Sequence, residues 1–192
     1  MSRAPKILAF AGSAREASFN RRLVRIGAAV AREAGAEVTL IDLADYPLPI
    51  YHADIERKEG LPDNVGQLKT LFFAHDGLLI ASPENNASVS ALLKNALDWV
   101  SRPSGGPAGM AKLNGKVAAM MVATPGALGG LRGLVALRAI LQTLGVLTLA
   151  EQFSLPRAAE AFADDGSLRD SAAHDAMTLV VQRLVHLASR LA

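Results

Sequence analysis

Three short segments carry groups suited to holding a charged or flat polar ligand. The first is Gly12-Ser13-Ala14-Arg15-Glu16-Ala17-Ser18-Phe19-Asn20. Ser13, Ser18 and Asn20 offer short hydrogen-bonding groups, Arg15 offers a guanidinium, and the chain then enters a helical pattern. A helix start with free N–H groups, hydroxyls and one arginine is physically a phosphate cradle. The plainer reading makes Ser18 or Asn20 an N-cap and Arg15 a surface charge. The second segment is Ser82-Pro83-Glu84-Asn85-Asn86-Ala87-Ser88. Pro83 stops a strand, and the two asparagines suit turn conformations that expose backbone N–H groups, as the carbonyl and ring nitrogens of a flat heterocycle require. The plainer reading is a turn with Ser88 capping the next helix. The third is Thr124-Pro125-Gly126-Ala127-Leu128-Gly129-Gly130. Its three glycines permit close approach of backbone to a ligand, or positive φ; a sharp strand-to-helix turn explains one glycine more easily than three.

Apolar runs and helical stripes alternate along the chain and place these segments. Ile7 to Ala11 reads as a buried strand ended by Gly12-Ser13, and Leu23, Val24, Gly27, Val30, Ala31 and Ala34 follow at helical spacing. Val38 to Leu43 is a second strand, and a polar connection from Asp45 to Pro62 leads to a helix marked by Val65, Leu68 and Phe72. Gly77 to Ser82 is a third strand, followed by the helical stripe Leu92, Leu93, Ala96, Leu97 and Val100. Pro103 to Gly109 is a loop by composition. Lys116 to Ala123 is a fourth strand, and Leu131, Leu134, Val135, Arg138 and Leu141 mark the fourth helix. Val146 to Leu149 is a fifth strand, and Met177 to Leu191 a closing helix. Continuously apolar strands separated by helices predict a parallel sheet covered on both faces. The expected architecture is one domain over residues 1–192, a three-layer α/β sandwich with a five-stranded sheet of order 2-1-3-4-5. That order brings the three segments side by side at the carboxyl ends of the strands, where ligands of open sheets bind.

Composition narrows the chemistry. The 192 residues are 51% hydrophobic and 20% charged, which excludes a disordered chain. Lys plus Arg number 20 and Asp plus Glu 18, a net charge of +2, too small for a nucleic-acid footprint. Cysteine is absent, so thiolate nucleophiles and thiolate metal sites are excluded. His52, His75, His174 and His186 lack metal-ligand spacing and are expected on the surface or in packing. No Gly-x-Ser-x-Gly elbow speaks for a serine hydrolase. The uncharged stretch Val117 to Leu131 is broken by Pro125 and three glycines, and Ile7 to Gly12 is too short for a signal sequence. The expectation is a soluble cytoplasmic protein that contacts neither nucleic acid nor membrane.

Gly-Ser-x-Arg-x-x-Ser-x-Asn after the first strand, Pro-Glu-x-Asn followed by Leu93-Lys94-Asn95-Ala96-Leu97-Asp98-Trp99, and Gly126-x-x-Gly129-Gly130-x-Arg132 together resemble the NADPH-dependent FMN reductase family. Members of this flavodoxin-like group include chromate and quinone reductases and azoreductase-like enzymes. The resemblance implies FMN as cofactor and NADPH or NADH as co-substrate. Ser13, Arg15, Ser18, Phe19 (through its backbone) and Asn20 would hold the FMN phosphate. Pro83, Glu84, Asn85 and Asn86 would line the isoalloxazine, with Thr124 and Gly126 at its pyrimidine end. It implies a ping-pong cycle in which hydride passes to FMN and then to a flavin, quinone, azo dye or metal-oxyanion acceptor, with no side-chain acid or base and no metal. It also implies a homodimer or homotetramer, with the third and fourth helices flanking the interface. One position departs from the family. A tyrosine is usual where this chain has Asn85, so an aromatic wall beside the flavin is missing, and Ser90 stands near the place of a family proline. A flavodoxin-type electron carrier and a non-catalytic FMN-binding module are the alternatives. Flavodoxins are typically acidic and lack the arginine in the phosphate loop, which speaks against the carrier, whereas the Asn85 departure keeps the non-catalytic module open.

Overall fold

The apolar runs become strands almost where the sequence puts them. The computed structural model describes residues 3–103 and 113–192. The first half runs β1 (Lys6–Ala11), α1 (Phe19–Glu33), β2 (Glu37–Asp42), a 3-10 turn (Leu43–Asp45), α2 (Ala53–Glu59), α3 (Asp63–Ala74), β3 (Gly77–Ala81) and α4 (Ala91–Val100). The second half runs β4 (Val117–Ala123), α5 (Leu131–Thr143), β5 (Leu147–Thr148), β6 (Phe153–Leu155), α6 (Ala158–Ala161) and α7 (Ser171–Leu191). The loop expected at 103–109 lies, beyond Pro103, outside the described residues.

The sheet is parallel with the order β2-β1-β3-β4-β5, as the sequence predicts. Its fifth place is shared, however, so the sheet has six strands rather than five. β5 pairs with Val117 and Ala118 of β4, while β6 pairs with Met121 to Ala123. Arg138 of α5 fills the break between the two short strands. Its guanidinium donates to Thr148 Oγ1 at 3.1 Å, to the Leu149 carbonyl at 2.5 Å and to Gln152 Oε1 at 3.1 Å. Backbone carbonyls that the ladder leaves open are thereby satisfied.

Alternate residues of each central strand point to opposite faces, giving two cores. On one face Ile7, Ala9, Leu79, Ala119 and Met121 meet Leu23 and Ala28 of α1 and Met177, Val181 and Leu184 of α7. On the other, Leu8, Phe10, Leu78, Ile80 and Met120 meet Phe72 of α3, Leu93 and Leu97 of α4, and Leu134 and Leu141 of α5. The register sets Ala11, Ala81 and Met121 level with one another. β1 and β3 therefore end level with each other and β4 two residues further on, and the three ligand-suited segments start side by side.

Candidate functional site

A cleft of about 550 Å³ opens where those strands end. The first segment contributes Ser13, Arg15, Ser18, Phe19 and Asn20 to its lining, the second Pro83, Glu84 and Asn85, and the third Thr124. Nine of the eleven expected site residues thus converge. Asn86 and Gly126 stand outside the lining. Asn86 forms the tip of a tight turn with Ala87, at φ 49° and 61°, closed by two backbone hydrogen bonds between Asn85 and Ser88 of 2.9 and 3.0 Å. Positive φ at both central residues is the mark of the hairpin turn that asparagine favours. Gly126 accepts at its carbonyl from the Gly129 and Arg157 N–H groups, and its own N–H donates to Thr124 Oγ1 at 3.3 Å.

The lining residues are fixed by bonds that run from one segment to the next. Asn20, 3% exposed, donates from Nδ2 to the Ala123 carbonyl at 2.8 Å and accepts at Oδ1 from the Ala123 N–H at 2.9 Å. Its side chain thus joins the head of α1 to the end of β4. Ser90 accepts from the Leu93 N–H as the cap of α4 and donates to the Gly12 carbonyl at 2.5 Å. The capping role expected of Ser88 therefore falls to Ser90, because Ser88 is held in the turn. Glu84 lines the cleft, yet its carboxylate is directed to α5. Oε1 accepts from Arg132 at 2.7 and 3.0 Å, and Oε2 from the Gly133 N–H at 3.0 Å. These contacts, the Gly133 N–H foremost, hold the Glu84 carboxyl below its ordinary range.

Charge at the head of α1 is arranged for an anion. Ser18 caps the helix, accepting from the Arg21 N–H, and the first turn contains no acidic residue. The Phe19 and Asn20 N–H groups belong to those that a helix leaves without intrahelical acceptors. Arg15 is exposed, forms no ion pair among the described residues, and lies 5.9 Å from the centre of the Phe19 ring. Phe19 in turn stacks on Phe162 at 6.0 Å and 6°, with Arg22 4.4 Å above the far ring. Phe162 escaped the sequence reading, since a lone phenylalanine between short elements has no periodic signal. The donor set fits a monophosphate group.

Several plainer readings hold. Gly129 and Gly130 sit at φ 68° and 74°, where an added methyl would collide with Ser154 Oγ and Val122 Cγ2. The strand-to-helix turn thus accounts for two of the three glycines. Trp99 is fully buried against Tyr51, and its indole N–H donates to the Pro49 carbonyl at 2.8 Å. Lys94 and Asp98 form the ordinary helix-surface pair at 2.6 Å. His75 packs between α3 and β2, its ring nitrogens 2.6 Å from the Leu71 carbonyl and 2.8 Å from Thr39 Oγ1. Asn95, quoted above only as part of a motif, clasps the connection before α2 by accepting from the Tyr51 N–H and donating to the Pro49 carbonyl.

Comparison with known proteins gives one consistent family. The model of the NADPH-dependent FMN reductase family matches residues 5–160. The quinone reductase of Escherichia coli K12 is 34% identical over 149 residues, 78% of this chain and 76% of that protein. An NAD(P)H-dependent FMN reductase of Pseudomonas aeruginosa is 32% identical over 180 residues, 93% of this chain and 92% of that one. Among solved structures, the flavoenzyme NAD(P)H:(acceptor) oxidoreductase of Paracoccus denitrificans superposes with a TM-score of 0.82 at 26% identity, covering 97% and 98% of the two chains.

The Glu84 contacts make a pH prediction. The free carboxyl titrates near 4.5 and the folded one lower, so its stabilisation is complete above 4.5 and disappears as pH falls through the depressed value. Glu84→Gln is expected to be less stable than the parent at neutral pH, with the gap closing in acid. Urea midpoints from neutral to acid pH measure this. A gap that stays constant would show that the charge of Glu84 contributes nothing.

Proposed function

The chain belongs to the NADPH-dependent FMN reductase family, and from that premise we propose that it is an NAD(P)H-dependent oxidoreductase that binds FMN in this cleft and reduces a quinone-class acceptor. The observation that carries the reading is Arg15, without an ion pair among the described residues, beside a helix whose first turn holds no acidic residue, in a cleft walled by all three segments. The quinone class is favoured by the E. coli relative, which is named for it.

In this reading Arg15, Ser13 Oγ and the Phe19 and Asn20 N–H groups hold the phosphate. The Ser18 hydroxyl caps α1 through its oxygen and keeps its proton for the same group. The Asn20 side chain, spent on Ala123, positions the helix head rather than the ligand. Pro83, Glu84 and Asn85 border the heterocycle with backbone and short side chains, and Thr124 closes the opposite wall. Asn86 and Gly126 act at one remove, by setting the turn and the third loop. FMN, when bound, supplies the redox chemistry, accepting a hydride equivalent from NAD(P)H and delivering electrons to the acceptor. The protein's part is to orient that group and to aim backbone donors at it. An exposed asparagine at position 85 leaves that side of the site open to bulky acceptors.

The reading includes a homo-oligomer in the cytoplasm, where reduced nicotinamide is available. Leu128 of the third loop and Leu131 and Val135 of α5 are 71%, 50% and 66% exposed, an apolar surface that suits a second copy. Among the described residues no helix is long and apolar enough to cross a membrane. Light scattering is expected to give at least a dimer mass; a monomer at working concentration removes that element of the reading.

Two measurements test the core of it. The purified protein should be yellow, release FMN rather than FAD on denaturation, and oxidise NAD(P)H steadily when a quinone is added. Released FAD would contradict the cradle's fit to a terminal monophosphate, and bound FMN without turnover would favour the carrier or the non-catalytic module. Arg15→Ala should weaken FMN binding by roughly 10- to 150-fold, the worth of one charge-assisted phosphate contact. Its folding stability should hardly change, because Arg15 is exposed. Unchanged FMN affinity in a flavin titration would make Arg15 a plain surface charge.

A further inference from the structure

Among the described residues only Asn86, Ala87 and Arg157 adopt positive φ without being glycine. The first two shape the turn at the cleft. Arg157, at φ 48° and ψ 40°, follows β6 and takes no part in the FMN site as read above. Left-handed backbone at a long, branched-headed residue is unfavourable and persists only where the surroundings impose it.

Those surroundings are the third loop. The Arg157 N–H donates to the Gly126 carbonyl at 3.4 Å, and the Ala158 N–H to the Thr124 carbonyl at 2.9 Å. Two residues before Arg157, the Leu155 carbonyl accepts from the Thr124 N–H at 3.0 Å. The segment Leu155–Ala158 therefore stands against the loop that closes the cleft. Its other side borders a second groove, of about 660 Å³, between β6 and the head of α7. Phe153, Leu155 and Leu168 give this groove an apolar floor, and Arg157 and Arg169 border it. Glu160 and Asp170 also border it, the Asp170 carboxylate accepting from the Ala172 N–H as the cap of α7. Arg169 faces Asp164 at 3.7 Å, as Arg132 faces Glu84 at 2.7 Å, whereas Arg157 is exposed and forms no ion pair among the described residues.

A nicotinamide that reaches FMN in the cleft leaves the adenosine half of its dinucleotide outside. In NADPH that half carries a 2′-phosphate, a dianion for which an unpaired guanidinium is the fitting partner. We propose that Arg157 binds the 2′-phosphate of NADPH, with the adenosine lying in the groove between β6 and α7. This assignment rests on the reading of the cleft as the FMN site, and it makes Arg157 the residue that prefers NADPH over NADH.

The test compares the FMN-loaded protein with its Arg157→Asn and Arg157→Lys variants. Asparagine tolerates left-handed φ, so the first removes the charge while keeping the local backbone. Calorimetric titration with adenosine 2′,5′-bisphosphate and with AMP reads the groove without turnover, and KM values for NADPH and NADH read it during turnover. Arg157→Asn is expected to weaken the bisphosphate and raise the KM for NADPH by roughly 10- to 150-fold. AMP affinity and the KM for NADH, which lack that phosphate, should change far less, and Arg157→Lys should recover part of the loss. Unchanged bisphosphate affinity in Arg157→Asn overturns the proposal, as does a parent protein that binds the bisphosphate no better than AMP. Arg157-dependent bisphosphate binding without NADPH oxidation would sink the oxidoreductase reading and uphold the groove. Steady NADPH oxidation with a KM indifferent to Arg157 would do the reverse.

Discussion

The geometry at the carboxyl ends of the strands depends on the paired hydrogen bonds between the Asn20 amide and the backbone of Ala123. A strand that stops inside a protein leaves its final N–H and C=O facing groups that must satisfy them. Asparagine has a donor and an acceptor in one flat group, and a buried amide needs both met. The pair satisfies strand and side chain together and fixes where α1 begins relative to β4. From that point the other ties follow. Arg21 of α1 reaches Asp42 at the end of β2, Ser90 joins α4 to Gly12, and Glu84 joins the second segment to α5. Three loops on a twisted sheet become one rigid rim.

The same ties distribute charge. Glu84 is a carboxylate in the wall of a cleft read as anion-binding, which would oppose its purpose if it were free. It is instead neutralised by Arg132 and by the N–H at the start of α5. Among the described residues Arg15 forms no ion pair, and its guanidinium lies over the Phe19 ring, which stacks on Phe162 with Arg22 at the far end. The local field at the head of α1 is thus positive although the chain as a whole carries only +2.

How much of this the sequence discloses depends on the length and regularity of each signal. β1, β3 and β4 are continuous apolar runs and are legible to within a residue. β6 is not, since Phe153-Ser154-Leu155 shows a single alternation. α2 shows no apolar stripe because it buries nothing; it is held by the His52 cap and by Glu56, which accepts from Tyr51 at 3.0 Å and from Arg102 at 2.9 Å. At the site, the residues themselves are legible and their duties less so. Asn20 and Ser90 carry the chemistry of ligand groups but spend it on the backbone of another segment, and no spacing rule records a partner at 103 residues' distance. Gly129 and Gly130 invite a ligand reading until the side chains they face, Ser154 and Val122, come from elsewhere in the chain.

The divided fifth place of the sheet has a consequence for the molecule in a crowded solution. An outer strand with a long row of open N–H and C=O groups is a template on which another chain adds and aggregates. Here that side of the sheet offers two residues in β5 and three in β6, too few for a stable foreign ladder. The carbonyls in the interval are occupied by Arg138. The interruption that makes the strand hard to read also keeps this border of the sheet from recruiting a neighbour.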